Sequence, residues 1–337
     1  MDMDVVLIRG DGIGKEICES VIRVSEALNC NVSFLECEAG SEYYEKSGKL
    51  MEDGLLEKIQ DCGLALKGPT ATPIGTGFRS INVYLRQRFN TYANVRPLRS
   101  MKGVKTRFED VDLVVIRENS EDLYKGVEYM YDENTAHGIK IITREASERI
   151  IRFAFDYARK NGRKKVTCVH KANIMKLTDG LFLDVFKKVS SEYPEIESDS
   201  VIIDALCMKL VSDPCAFDVL VAPNLYGDII SDLCAGLVGG LGFAPSVNIG
   251  DEVKIYEAVH GSAPDIAGKD IANPSAILMS FADLLKDNGE KKKGELLRKV
   301  IEDMIAEGKC VTADIGGTAS TSAFTDALIE RIRHEDL

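Results

Sequence analysis

The sequence lacks an excess of basic charge, a C-x-x-C pair, a G-x-G-x-x-G fingerprint and a P-loop, and each absence removes a class of function. Forty-two Lys and Arg against fifty-four Asp and Glu give a net charge of −12 over 337 residues. That balance argues against nucleic acid or an anionic membrane as the main partner. An anionic small molecule would need a local basic pocket. The nine cysteines, from Cys18 to Cys310, form no close-spaced framework, and no signal peptide precedes the first apolar run. Reduced thiols and a cytoplasmic protein are therefore expected. The Gly-rich turns GDGIG (10–14), GTG (75–77) and GLVGGLG (236–242) all miss the dinucleotide spacing, so a standard Rossmann fold is not expected. Residues 233–250 are eighteen positions without a charge, but five are glycine and Pro245 and Asn248 interrupt them. A buried helix followed by a tight loop fits this run better than a membrane span.

What is present is a period that switches along the chain. DVVLIRG (4–10) is a short apolar run ending in glycine. The next stretch, GDGIGKEICESVIRVSEAL, places Ile17, Val21, Val24 and Leu28 on one helical face, which makes a βα unit. Similar runs at 111–117, 166–170, 201–204 and 219–222 predict an α/β protein with a mainly parallel sheet. GVEYMYDENTAHGIKII (126–142) instead shows two extended runs about a polar turn, a hairpin arm. Length suggests two domains. No internal repeat or low-complexity tract is visible.

Two charged groups stand out. Arg79, Arg86, Arg88, Arg96 and Arg99 crowd into residues 77–100 of an acidic chain, and Arg117 ends the run VDLVVIR, where open α/β sheets place ligand-binding groups. Any one of them could be a solvated surface residue. Several converging guanidiniums suit a substrate with several carboxylates. In NLYGDIISD, Asp228 and Asp232 are four apart and project from one side of a helix, and Asp204 closes the run VIID. Carboxylates so arranged are hard oxygen ligands for Mg²⁺ or Mn²⁺. The plainer reading makes Asp228 a helix cap and Asp232 a surface residue.

GDGIGKE, LKGPTATPIGTGFRS, YANVRP, VIRENSEDLY, HKANIMKLTDGLF, NLYGDIISD and EAVHGSAPDIAGKDIANPSA together resemble the β-decarboxylating dehydrogenases of isocitrate, 3-isopropylmalate and homoisocitrate, along nearly the whole chain. The resemblance implies an isopropylmalate dehydrogenase-like two-domain α/β fold with a mixed, mainly parallel sheet. Its larger, cofactor-binding domain would be residues 1–97 plus 239–337. The smaller one, 98–238, would carry dimerisation, metal and substrate residues, with a dimer clasp near 126–142. Obligate homodimers with shared active sites, or a higher oligomer built from them, follow from the same resemblance; that no nucleic acid or membrane is a partner rests on the net charge.

It further implies that Arg86, Arg96 and Arg117 grip substrate carboxylates while Ser80 and Asn82 touch the end that differs between members. Asp228 and Asp232 would hold the divalent ion, joined by Asp204 of the other subunit. Tyr124 and Lys171 would be the proton-handling pair, with Lys171 also donated across the dimer. Ser80 and Asn82 lie in RSINVYLRQ, which resembles the isocitrate enzymes, so NAD-dependent oxidative decarboxylation of isocitrate is the activity implied. Homoisocitrate or 3-isopropylmalate as substrate is the alternative. A non-catalytic regulatory subunit is a further one. Asp265 and Ile266 stand where NADP-using members carry lysine and tyrosine. A carboxylate there accepts hydrogen bonds from ribose hydroxyls and repels a 2′-phosphate, which favours NAD. Ile13, Thr72, Asn173, His260, Gly261, Ser262, Ala263 and Asn273 complete the implied cofactor site.

Overall fold

The structure is a computed structural model that describes residues 3–71 and 80–335. Thr72 and Arg79 lie outside the described residues. The chain forms β1 (Met3–Ile8), α1 (Gly14–Ala27), β2 (Val32–Cys37), α2 (Ser41–Ser47), α3 (Leu55–Cys62), β3 (Leu64–Lys67) and α4 (Ile81–Arg88). It continues through β4 (Ala93–Arg99), β5 (Asp112–Glu118), β6 (Glu128–Asp132), β7 (Thr135–Gly138), α5 (Arg144–Lys160) and β8 (Lys165–His170). Then come α6 (Thr178–Ser190), β9 (Glu197–Ile202), α7 (Ile203–Ser212), β10 (Val219–Ala222) and α8 (Asn224–Leu237). The last elements are β11 (Pro245–Ile249), β12 (Lys254–Ala258), α9 (Ser275–Asp287), α10 (Lys291–Glu307) and α11 (Thr321–His334).

Ten strands make one mixed sheet in the order β2-β1-β3-β12-β11-β4-β5-β10-β8-β9. The four strands at each end run parallel within their set. Antiparallel pairs β12–β11, β11–β4 and β4–β5 join the sets. The α/β, mainly parallel expectation is met, and no dinucleotide-type strand order is needed to explain it. Among the described residues β6 and β7 pair only with each other, as an exposed hairpin with a bulge between Met130 and Asp132.

The first βα unit folds as its period dictates: Ile17, Val21, Val24 and Leu28 are fully buried. Its turn is closed by Asp11, whose carboxylate accepts the amides of Ser41, Glu42 and Ala71 at 3.0, 2.8 and 2.6 Å. The uncharged stretch 233–250 is the end of α8, a short turn and β11. Among the described residues no helix is long and apolar enough to cross a membrane.

Strand alternation decides where polar side chains can gather. One face of the sheet packs into a large core with α1, α5, α6, α9, α10 and α11. The other carries two separate apolar clusters, one under α3 and α4 and one under α7 and α8. Between them the same face presents Glu257, Asn248, Asn94, Arg96 and Arg117. Register makes this a stripe: Asn248 and Arg117 both lie directly opposite Asn94, and directly paired residues share a face.

Candidate active site

Three of the arginines meet over that stripe. Arg96 and Arg117 rise from neighbouring strands and Arg86 comes from the last turn of α4; all three are buried. Arg88 and Arg99 turn away, Arg88 exposed beside the Phe89 ring and Arg99 paired with Asp112 at 3.0 Å. Burial and then the charges of Arg86 and Arg96 pull the Arg117 guanidinium down to about 10. Arg117 Nη2 and Arg86 Nε are buried without a partner among the described residues. A buried guanidinium nitrogen left unpaired is costly, so these two nitrogens have capacity for a further acceptor.

Helix α8 brings the acidic pair to the same place. Gly227 allows the contact: a methyl group there would fall 2.6 Å from both Cβ and Cγ of Arg117. Arg117 Nε donates to Asn224 Oδ1 at 2.9 Å and Nη1 donates to Asp228. Arg96 donates to Ser231 Oγ at 2.6 Å and to Asp232 at 3.2 Å. The helix starts at Asn224, so Asp228 lies a turn inside it and is not the cap. Burial raises the Asp228 carboxyl, but Arg117, Tyr124 and Arg96 override it and hold it below the usual range. Asp232 is shifted upward by burial, partly offset by Arg96, with Asp228 adding repulsion. Two carboxylates on one helix face, one ionised by its arginines and one held high beside a like charge, form a hard donor pair that fits a divalent cation.

Tyr124 donates its hydroxyl to Asp228, and the Arg117 guanidinium lies 4.9 Å from its ring centre. Burial and that hydrogen bond push its pKa up and keep the phenol protonated. Lys171 is not in this group; it forms an ion pair with Asp204. Asp204 also departs from its expected place, because β9 ends at Ile202 and Asp204 falls in the first turn of α7, with its side chain 68% exposed. Among the described residues, no three His, Cys, Asp or Glu side chains of this single chain are placed to hold a metal ion. Within one chain, then, Asp204 does not join Asp228 and Asp232. Ser80 precedes α4 without capping it, and Asn82 Oδ1 accepts from Thr70 Oγ1 at 3.1 Å.

The expected cofactor residues are gathered in part. The Ile13 amide donates to the Ser262 carbonyl at 2.9 Å, so the GDGIG turn abuts the loop after β12. Gly12 has φ +57 and a Cβ there would collide with the Ser262 carbonyl. In that loop Ala263 has φ +40, Gly261 faces open space and Asp265 is exposed. His260 Nδ1 lies 3.1 Å from the Gly261 carbonyl, and Nε2 is buried without a partner among the described residues. With Nδ1 donating, Nε2 is a bare acceptor, and burial lowers the imidazole pKa and keeps it neutral. An open loop with an unpaired acceptor fits an adenine amino group. Ile266 packs on the main core, and Asn273 donates to Asp314 at 2.9 Å. Asn173 is exposed in the Lys171 loop.

Sequence reading passed over the groups that hold this site. Asn94 donates to Ser246 at 2.8 Å and Asn248 at 3.0 Å and accepts from Arg96 Nε at 2.8 Å. Asn248 in turn donates to Glu257 at 2.7 Å, and Lys67 pairs with Glu257 at 2.9 Å. Burial raises the Glu257 carboxyl, but Lys67, Arg86 and Asn248 force it far below the usual range. The available signal was polar residues at alternate positions of otherwise apolar strands, in YANVRP and PSVNIG.

Comparison with known proteins identifies the family. Catalytic subunit 6 of the mitochondrial NAD isocitrate dehydrogenase of Arabidopsis thaliana is 50% identical over 327 residues, covering 97% of this chain and 87% of that protein. A regulatory subunit of the mitochondrial NAD isocitrate dehydrogenase of Dictyostelium discoideum is 49% identical over 329 residues, covering 97% and 91%. The crystal structure of isocitrate dehydrogenase from Methylococcus capsulatus superposes with a TM-score of 0.96 at 47% identity, over 99% of this chain and 100% of that one. These relatives correct the expectation of a cytoplasmic protein, since the Arabidopsis and Dictyostelium proteins are mitochondrial. Free thiols report a reducing environment, which more than one compartment supplies. Residues 4–330 match a single family from end to end, and the chain belongs to the isocitrate/isopropylmalate dehydrogenases.

Proposed function

We propose that this chain catalyses the NAD-dependent oxidative decarboxylation of isocitrate, in a site completed by a second subunit. The observation that carries the reading is the convergence of Arg86, Arg96 and Arg117, two of them with unpaired buried nitrogens, beside Asp228 and Asp232. A tricarboxylic acid would supply acceptors for the two nitrogens left open after the arginines pair with Asp228, Asp232 and Glu257. Ser80 and Asn82, at the start of α4, offer a hydroxyl and an amide to its third carboxylate. A hydrogen-bonding site discriminates strongly against substrates that leave it unpaired, about ten-thousandfold in favourable cases.

Asp228 and Asp232 would hold Mg²⁺ or Mn²⁺ with Asp204 of the other subunit, and the ion when bound would polarise the substrate hydroxyl and stabilise enolate charge. NAD, held by Ile13, Thr72, Asn173, His260 to Ala263, Asp265, Ile266 and Asn273, would accept the hydride. Lys171 of the other subunit takes the hydroxyl proton. Once the carbon is a ketone, the carboxylate β to it departs as carbon dioxide, and Tyr124 returns a proton to carbon. Its protonated, half-buried phenol suits a donor.

The same reading divides the chain into a larger domain, 1–97 with 239–337, and a smaller one, 98–238. It makes the hairpin a dimer clasp: Tyr129, Met130 and Tyr131 are 52%, 61% and 69% exposed there, with Met208 and Ile229 exposed on α7 and α8. Apolar exposure of this kind marks an interface. A homodimer serves catalysis by this chain alone. A regulatory role within a hetero-oligomer is the second reading, supported by the Dictyostelium relative.

Purified chain, assayed alone with NAD and Mn²⁺ on isocitrate, homoisocitrate and 3-isopropylmalate, tests all of this. Turnover highest on isocitrate and abolished by EDTA is expected. Isocitrate binding without turnover establishes the regulatory reading. A preference for homoisocitrate overturns the assignment of Ser80 and Asn82.

A further inference from the structure

A buried ionic cluster lies outside the substrate, metal and cofactor residues. Lys140, just beyond the hairpin, is 11% exposed and faces two fully buried aspartates. Its ammonium donates to Asp179 Oδ1 at 2.6 Å and lies 3.9 Å from Asp122 Oδ1. It also stands 4.4 Å from the centre of the Tyr226 ring on α8.

Each aspartate also accepts from backbone that carries a proposed catalytic group, and Asp179 Oδ1 takes the Thr178 hydroxyl at 3.4 Å besides. Asp179 Oδ2 accepts the amide of Lys171 at 2.6 Å. Asp122 Oδ1 accepts the amide of Leu123 at 2.8 Å, at the start of the 3₁₀ turn Asp122–Lys125 that carries Tyr124. Its Oδ2 accepts the amide of Leu225 at 2.9 Å, in the first turn of α8, one turn before Asp228. Asp122 is itself held at φ +70, a conformation an aspartate adopts at a cost, and its own amide is tied to the Ile141 carbonyl beside Lys140. Such strain persists only where surrounding bonds fix it. Two carboxylates would repel each other there without the ammonium between them.

We infer that Lys140 is a positioning residue: by drawing Asp122 and Asp179 together it fixes the Tyr124 turn, the Lys171 loop and the start of α8 to the base of the hairpin. The inference rests on the assignment of Tyr124 and Lys171 as the proton-handling pair. In a dimer with shared sites, one cluster then sets Tyr124 in its own site and Lys171 in its partner's. Seating of the hairpin on a second subunit would be transmitted to both.

The test compares the full-length parent with K140M and K140R. K140M is expected to lower kcat on isocitrate about a hundredfold, the effect of roughly 1 Å of misplacement, with substrate KM little changed. The solvent deuterium isotope effect on kcat should rise, because proton transfer becomes limiting. K140R, which keeps a cation, should recover most of the rate. Since K140M leaves two buried carboxylates unbalanced, the double variant K140M/D179N, which removes one charge of each sign, is the arm to use if K140M does not fold. Amide exchange gives a readout apart from activity: the Lys171 and Leu225 amides should exchange at least about tenfold faster in the Lys140 variant, while β5 keeps its protection. Parental kcat and isotope effect in K140M, or in the double variant, overturn the inference even if exchange changes, since Lys140 would then be structural only. Y124F and K171M assayed in parallel separate the two failures. If those two lose turnover and K140M does not, this inference fails; if they retain it, the assignment of the proton-handling pair fails.

Discussion

Replacing Gly227 with alanine puts the packing of α8 on β5 to a direct test. The new methyl would lie 2.6 Å from Arg117 Cβ and Cγ, where ordinary contact begins near 3.4 Å. Arg117 cannot yield: its side chain is 1% exposed, bonded to Asn224 at 2.9 Å and paired with Asp228. The helix must retreat by about 1 Å, taking Asp228 and Asp232 with it. Overpacking of this size costs about 1–3 kcal/mol, set against a gain of about 0.5–1 kcal/mol for alanine over glycine within a helix. Net destabilisation is therefore modest, but misplacement on this scale lowers catalysis about a hundredfold. Gly236, on the same helix with nothing within 4 Å of an added Cβ, is the matched control, and G236A should be slightly more stable and fully active. Urea denaturation and kcat/KM measured on both variants decide the matter. Equal behaviour of G227A and G236A would refute the claim that this contact positions the acidic pair.

Two further outcomes follow from the electrostatics. Glu257 has its folded pKa depressed, so its contribution to stability is present above its unfolded value of about 4.3 and is lost as pH falls through the folded one. E257Q, which strands Lys67, should cost about 3–5 kcal/mol at pH 7 and show a flatter loss of stability below pH ~5 in denaturation curves; parallel curves for variant and parent would show the pair to be unimportant. Replacing Asp265 and Ile266 with Lys and Tyr should raise the NADP-to-NAD ratio of kcat/KM, and an unchanged ratio removes the argument for NAD.

Much of the site was legible because its residues are local in sequence. Asp228 and Asp232 share a helix face by spacing alone, and Arg117 ends an apolar run, so they stand out as candidates without a fold. What escaped was long-range. Nothing near Asn94 indicates that Asn248 and Arg117 will be its direct strand partners, because β11 inserts antiparallel between β12 and β4. The Lys67–Glu257 pair joins residues 190 positions apart on parallel strands. The start of α7 at Ile203, which moves Asp204 from a strand end into a helical turn, follows from no cap signal: Ile202 at the cap makes no side-chain hydrogen bond. Asp122 reads as one of three acids in ENSED, all of them buried, and its φ of +70 singles it out.

The central proposal, that two polypeptides complete each site, is tested most directly by complementation. Y124F and K171M are purified separately, each inactive, then unfolded, mixed and refolded together. A mixed dimer has one site with both defects and one with neither, so random reassortment of a symmetric dimer should restore about a quarter of the parental turnover. Mixtures that stay inactive while mixed dimers demonstrably form would contradict the account.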